Sequence, residues 1–215
     1  MNSRQRGIAL TVTGCVAFIV IVVLSFVNKI TSPRVMSESE LKVNGAYIFD
    51  KPRELSEIKL IDDQGRPFTL AQLKGKWSLV FFGFTFCPDV CPTTMTTLRE
   101  FYSKVNDDYK GDTQVLMVTV DPARDTVEKL REYVGFFNPD FIGVTGEFLD
   151  LHRFATELNV PFSKVPGGGG NYLVEHGANV ALLNPRGDYV GFFKAPIDLS
   201  KLKVTYESIR MTRDE

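Results

Sequence analysis

Residues 7–27 read GIALTVTGCVAFIVIVVLSFV, 21 consecutive positions without a charged side chain. No other stretch restricts the fold so tightly. At about 1.5 Å per residue such a helix spans roughly 30 Å, the thickness of a bilayer's hydrocarbon core. Arg4, Arg6 and the amino terminus precede the run, while Lys29 and Arg34 follow it. This slight charge bias places residues 1–6 in the cytoplasm and exports the rest of the chain. A cleaved signal peptide has a shorter apolar region and a small-x-small site, and none stands before Asn28. Val12-Thr13-Gly14-Cys15 is similar to a lipobox, yet most of the apolar run lies after Cys15, where a lipoprotein turns hydrophilic. An uncleaved transmembrane helix is therefore expected, with Cys15 a small lipid-facing residue.

The 215 residues suffice for one compact domain plus this appendage. Residues 28–44 are polar and read as a linker, which leaves 45–215 as the folded domain. Within it, Trp77–Phe84 (WSLVFFGF) and Gln114–Val120 (QVLMVTV) are nearly continuous apolar runs, as expected of strands covered on both faces. A helix is predicted from Thr93 to about Tyr109. Another opens at Asp125-Thr126-Val127-Glu128, with Asp125 as N-cap and an acidic residue at the third helical position. Phe141–Val144 reads as a short strand and Glu147–Leu158 as an amphipathic helix. Val180–Leu183 and Tyr189–Phe193 flank Asn184-Pro185-Arg186-Gly187, a hairpin signal. A helix from Leu199 to about Met211 closes the chain. Two further strands, Ile58–Ile61 and Phe68–Leu70, stand before this series around the turn Asp63-Gln64-Gly65. The order predicts an α/β, thioredoxin-like fold: a central mixed sheet flanked by helices, with one N-terminal transmembrane helix. Gly167–Gly170 is the one low-complexity patch.

The formal net charge is −1 and no basic stripe runs along the chain, so nothing points to nucleic acid. Three cysteines exclude a multi-disulfide scaffold. Two of them, Cys87 and Cys91 in FGFTFCPDVCPTTM, fall between a central strand and a helix, each followed by proline. Chemistry in open α/β sheets gathers at the carboxyl ends of strands, and a helix N-terminus lowers a thiol's pKa. Proline pushes the preceding residue out of the α region, so both cysteines are expected to be extended, with the helix starting near Pro92. By itself a Cys-x3-Cys pair fits copper, a redox couple, half of a zinc site, a structural disulfide or two buried thiols.

Two histidines offer a further ligand. His152 sits in a charged amphipathic helix and reads as a solvated surface residue. His176 directly precedes the Val180–Leu183 strand. In thioredoxin-like proteins the segment entering this strand passes beside the active cysteines and typically carries a cis-proline. The equivalent position here is near Ala178, and the imidazole two residues earlier is placed to reach the same pocket. Two thiolates and an imidazole form a soft donor set that selects Cu(I) and also holds Cu(II). Glu175 and Asp121 are candidates to orient His176 or a proton, with a turn-forming role favoured for Asp121.

These residues carry a resemblance. Phe82-Gly83-Phe84-Thr85-Phe86-Cys87-Pro88-Asp89-Val90-Cys91-Pro92, Val120-Asp121-Pro122-Ala123-Arg124-Asp125-Thr126, and His176 ahead of Leu182-Leu183-Asn184-Pro185 resemble the motifs of the Sco/SenC family. These are membrane-tethered copper-binding proteins that help assemble the dinuclear copper centre of cytochrome c oxidase. The resemblance covers the chain from Gly7 to the final helix. It implies copper held by Cys87, Cys91 and His176 and passed to the copper-receiving subunit of the oxidase. A donor chaperone would supply the copper, and the folded domain would lie in the periplasm or an equivalent exported space, tethered to the inner membrane. A second reading makes Cys87 and Cys91 the redox pair of a thiol–disulfide reductase that keeps the target's cysteines reduced. A thiol peroxidase fits less well, because Cys91 is an odd resolving partner only four residues on.

Overall fold

The computed structural model describes residues 3–31, 35–165 and 172–213. Arg34 and the Gly167–Gly170 patch lie outside the described residues. The chain divides into two compact units, Met1–Val35 and Met36–Glu215.

The first unit is one helix, α1 (Ser3–Thr31), and within it Gln5–Val27 is long and apolar enough to cross a membrane. Phe18, Ile21, Leu24 and Phe26 are all exposed although they point in different directions around the helix. A helix apolar on every side suits lipid rather than water.

The second unit starts earlier than the polar composition of residues 28–44 suggests. Ser37 and Glu40 form a capping box that opens a short helix, α2 (Glu38–Val43), whose Leu41 is buried. The Met36 N–H also donates to Ser208 Oγ at 2.7 Å. The end of the predicted linker therefore belongs to the folded unit. A strand that the composition did not announce, β1 (Ala46–Arg53), follows directly.

Eight strands form the main sheet. After β1 come β2 (Leu60–Asp62), β3 (Pro67–Phe68), β4 (Trp77–Gly83) and β5 (Thr113–Thr119). They are followed by β6 (Ile142–Thr145), β9 (Val180–Leu183) and β10 (Tyr189–Phe193), in the spatial order β1-β10-β9-β4-β5-β6-β2-β3. β4, β5 and β6 are parallel, and the other pairings are antiparallel. Every residue of β4 and β5 is buried, as expected of central strands covered on both faces. The β9–β10 turn follows its sequence signal: Asn184 Oδ1 accepts from the N–H groups of Arg186 and Asp188, and Gly187 takes φ +89°.

The covering helices are α3 (Val90–Lys104), α5 (Val127–Phe137), α6 (Phe148–Glu157) and α7 (Leu199–Arg213), with α3 packed against both α5 and α7. Three local expectations are corrected. The long helix after the thiols breaks at Val105, and a separate turn, α4 (Asp107–Lys110), is capped by Asn106. The N-cap of α5 is Thr126, whose hydroxyl accepts from Lys129 N, and not Asp125. Helix α3 starts at Val90, so Cys91 is helical and Pro92 is the third residue of the first turn. There Pro92 loses no bond, because the first helical N–H groups have no partner within the helix. A two-stranded ribbon, β7 (Phe162–Val165) with β8 (Leu173–His176), was not legible in the sequence, and it carries the histidine.

Candidate metal centre

Strand β4 ends at Gly83, and its continuation turns at Phe84, whose carbonyl accepts from Cys87 N at 3.1 Å. Asp89 is the N-cap of α3 but makes no side-chain cap bond. Instead the Cys87 sulfur accepts from the Cys91 N–H at 3.4 Å. Sulfur thus takes the capping place at the helix N-terminus. Cys87 is partly exposed and Cys91 is fully buried.

Strand β8 delivers the third donor. Its last residue, His176, pairs in register with Phe162 and approaches the thiols from the other side. Nε2 lies 3.7 Å from Cys91 Sγ, and the donor atoms of Cys87, Cys91 and His176 all lie within 4.8 Å of one another. Metal–sulfur bonds of about 2.3 Å put two donors across one ion up to about 4.6 Å apart, so a shift of a few tenths of an ångström at most brings this trio onto a shared ion. Among the described residues no other trio of such donors gathers. His152 is exposed on α6, against Phe148 and Phe162, and takes no part.

The surroundings suit soft ligands. Phe81 and Phe84 present their rings edge-on to the imidazole at 6.2 and 5.9 Å. Nδ1 lies 3.0 Å from the Gly177 carbonyl, which only accepts, so Nδ1 carries the proton and Nε2 turns its lone pair toward Cys91. Burial holds the His176 pKa below the ordinary histidine value. Burial likewise pushes the Cys91 thiol well up, with its hydrogen-bonded neighbour Cys87 adding to the shift. An imidazole kept neutral can ligate, and a thiol that holds its proton releases it to an arriving cation. The space is made by Gly83: a Cβ there would stand 2.8 Å from the Phe81 ring and 3.1 Å from Cys91 Sγ. Donor set, spacing and cradle fit a copper ion.

A buried polar frame holds the thiol loop. Asp125, 1% exposed, accepts from Thr85 Oγ1 at Oδ1 (2.6 Å), from Thr119 Oγ1 at Oδ2 (2.7 Å), and from Thr85 N at both oxygens. Burial raises its pKa against the pull of these donors. Asp121 forms the expected turn, its carbonyl accepting from the N–H groups of Arg124 and Asp125. Its carboxylate does not touch His176. It accepts from Tyr172 Oη at 2.6 Å and from Arg124, anchoring the entry to β8 four residues before the histidine. Glu175 is exposed, and strand alternation turns it to the face of β8 opposite His176.

From the sequence, Arg124 had a place in the Val120–Thr126 motif but no role of its own. Its guanidinium lies 3.8 Å from the Tyr172 ring centroid, 5.0 Å from Phe86 and 5.8 Å from Phe84. It thereby ties the cysteine-bearing loop to the histidine-bearing ribbon. The signal was present as the acid–proline–x–arginine–acid run Asp121–Asp125, but only tertiary contact gives each member its task.

A thioredoxin-like sheet with two thiols and an imidazole at the carboxyl end of its central strand defines a class: a soft-metal or dithiol site on that fold. The sequence profile of SCO1/SenC matches residues 50–209. The chain belongs to the SCO1/SenC family. It is 35% identical over 175 residues to a putative copper-binding protein of Stutzerimonas stutzeri, covering 80% of this chain and 86% of that one. It is also 35% identical to the mitochondrial protein SCO1 of Saccharomyces cerevisiae, covering 73% of this chain and 53% of that longer protein. Among solved structures, copper-bound ScoI of Arabidopsis thaliana superposes with a TM-score of 0.67 at 34% identity, over 73% of this chain and 98% of that one. Copper-bound yeast Sco1 gives 0.66 at 31%, over 76% and 91%.

Proposed function

We propose that this protein is a membrane-anchored copper carrier for cytochrome c oxidase assembly. It takes copper through Cys87, Cys91 and His176 and passes it to the oxidase subunit that houses the dinuclear copper centre. The observation that carries the reading is the meeting of three soft donors within 4.8 Å, drawn from a loop and a ribbon 85 residues apart. Two relatives of similar fold hold copper, which supports copper over other soft ions. Three protein donors leave a coordination place open, which suits an ion that must be received from a donor chaperone and given up again. When copper enters, Cys91 and Cys87 release their protons, His176 contributes the Nε2 lone pair, and the phenylalanine rings keep bulk water away.

In this reading residues 7–27 span the inner membrane, residues 1–6 stay in the cytoplasm, and the domain works in the periplasm or an equivalent exported space. The apolar helix Gln5–Val27 and the charges at its ends support it.

A dithiol reading is favoured by one observation: a partly exposed sulfur at a helix N-terminus beside a buried one. In it, the Cys87 thiolate attacks a target disulfide. Cys91 then displaces the reduced target thiol, so the pair ends as a disulfide after giving up two electrons and two protons.

Replacing His176 by Ala in the full chain in detergent separates the two. The carrier reading expects Cu(I) affinity, measured by competition with a chromophoric chelator, to fall by more than the roughly 10–100-fold cost of outer-shell changes. The Cys87–Cys91 disulfide should still form. Unchanged copper affinity overturns the three-donor site.

A further inference from the structure

The three donors come from two segments that are seated very differently. The thiol loop continues β4, every residue of which is buried. His176 rides on the ribbon β7–β8, where only Phe162 and Val174 are buried. A two-stranded ribbon is marginally stable by itself, so contacts outside its own ladder must hold the imidazole at the sulfurs. Tyr172, which leads into β8, supplies them. Its hydroxyl donates to Asp121 at 2.6 Å, and the Arg124 guanidinium lies 3.8 Å from its ring centroid. Lys164 reaches the same ring at 4.6 Å, but it stands on β7 and ties the ribbon only to itself.

Arg124 is itself anchored. Its N–H donates to the Asp121 carbonyl at 3.1 Å, and its own carbonyl accepts from Lys129 Nζ at 3.0 Å. Nε donates to the carboxylate of Asp121, a fully buried residue. Nη2 is buried and makes no hydrogen bond. A buried donor left unpaired is costly, so this placement calls for a compensating gain. Three aromatic rings around the guanidinium provide one. Phe86, at 5.0 Å, immediately precedes Cys87, and Tyr172 leads into the strand that ends at His176. Phe84, at 5.8 Å, also stands edge-on to the His176 imidazole at 5.9 Å. One planar cation therefore touches the neighbour of a thiol, the root of the ribbon and a ring packed on the histidine.

We infer that Arg124 is a positioning residue of the metal centre: by packing on Phe86 and Tyr172 it holds the ribbon against the thiol loop and so sets His176 within reach of the sulfurs. The inference rests on the metal-site reading above and adds to it a residue that ligates nothing. It depends on the plane of the guanidinium, because an ammonium is a point charge without a face to stack on rings. The thiols need no such help. They sit four residues apart in one segment, joined by the bond from the Cys91 N–H to Cys87 Sγ. Losing Arg124 should therefore cost the site its histidine and leave the dithiol intact.

The test is Arg124→Leu in the full chain in detergent, beside Tyr172→Leu, which breaks the same contact and leaves the Asp121–Arg124 pair in place. In the metal-free protein, amide hydrogen exchange over residues 172–176 is expected to quicken about tenfold or more, the mark of a local opening, while β4 and β5 keep their rates. Cu(I) affinity, by chelator competition, should fall about 10–100-fold, as for other groups that hold a ligand in place. The Cu(II) spectrum should lose the nitrogen hyperfine coupling of His176, and the Cys87–Cys91 disulfide should still form. The double variant should lose less than the two single losses combined, because both remove one contact. Arg124→Lys is expected to behave like Arg124→Leu. Ribbon exchange or copper affinity within about twofold of the unmodified protein, the scatter of independent sites, overturns the inference. So does full additivity, recovery by Arg124→Lys, or faster exchange that extends through β4 and β5. If the unmodified protein bound no copper, the function proposed above would fail, while the metal-free exchange would still decide whether Arg124 holds the ribbon.

Discussion

The two ends of strands β4 and β5 both carry buried polar groups, and they treat them in opposite ways. At the amino end, Arg210 of α7 meets Asp112 with two nitrogens, at 3.0 and 2.7 Å. Tyr206 Oη pairs with Thr113 Oγ1 at 2.5 Å and accepts from Arg210 at 3.2 Å, while Gln114 donates to Ser78. Donors there find acceptors. At the carboxyl end, beside a buried frame around Asp125, Cys87 Sγ accepts only from the Cys91 N–H at 3.4 Å, Cys91 Sγ lies 3.7 Å from His176 Nε2, and the Tyr133 phenol makes no hydrogen bond. The difference separates a clamp from a site. A network that is satisfied stabilises the fold, and groups kept short of partners are available to a ligand.

Three outcomes would sharpen or break that contrast. The largest is a dependence on pH. Burial holds the Cys91 proton well above the ordinary thiol value, so copper must displace it throughout the neutral range. Affinity is expected to rise by about tenfold per pH unit for each proton displaced, and to weaken as pH falls. Competition titrations between about pH 6 and pH 8 check this, with a pH indicator counting the released protons. A flat profile would mean that the thiols enter the complex already ionised, and that the carboxyl end is less deprived than the geometry indicates.

Asp125→Ala comes next. It strands the Thr85 amide and the hydroxyls of Thr85 and Thr119, so a loss of about 2–3 kcal/mol is expected in chemical unfolding. Loosening the segment that leads to Cys87 should also weaken copper by roughly 10–100-fold, as for other outer-shell partners. Loss of stability with undiminished copper affinity would make Asp125 part of the scaffold only.

Arg210→Ala is the control at the opposite end. Asp112 is 39% exposed at its side chain, which discounts the usual cost of breaking a buried pair to about 2 kcal/mol. Copper affinity should stay within about twofold. A larger effect on copper would show that the two ends are coupled through β4 and β5.

Much of this molecule was legible from residue order, and what escaped did so for identifiable reasons. The apolar helix, the central strands and the hairpin at Asn184–Gly187 are local patterns whose period or turn chemistry is complete within one continuous run of 21 residues or fewer. The ribbon β7–β8 was missed because its strands are short and mostly exposed, so no alternation marks them. Asp125 was misread because aspartate is a good N-cap in general, while here burial beside Thr85 and Thr119 takes its carboxylate and leaves capping to Thr126.

Sequence alone determined that the chain carries an apolar helix long enough to cross a bilayer, an α/β domain, and two thiols placed between a strand and a helix. Those facts depend on neighbours along the chain, where spacing and side-chain type decide the outcome. Tertiary structure alone decided that His176 meets Cys91 from 85 positions away, that Asp121 and Arg124 brace the ribbon and loop that bring them together, and that Tyr133 Oη is buried without a hydrogen bond. Such contacts arise from how strands pair and where loops pack, and burial then sets which protons are kept.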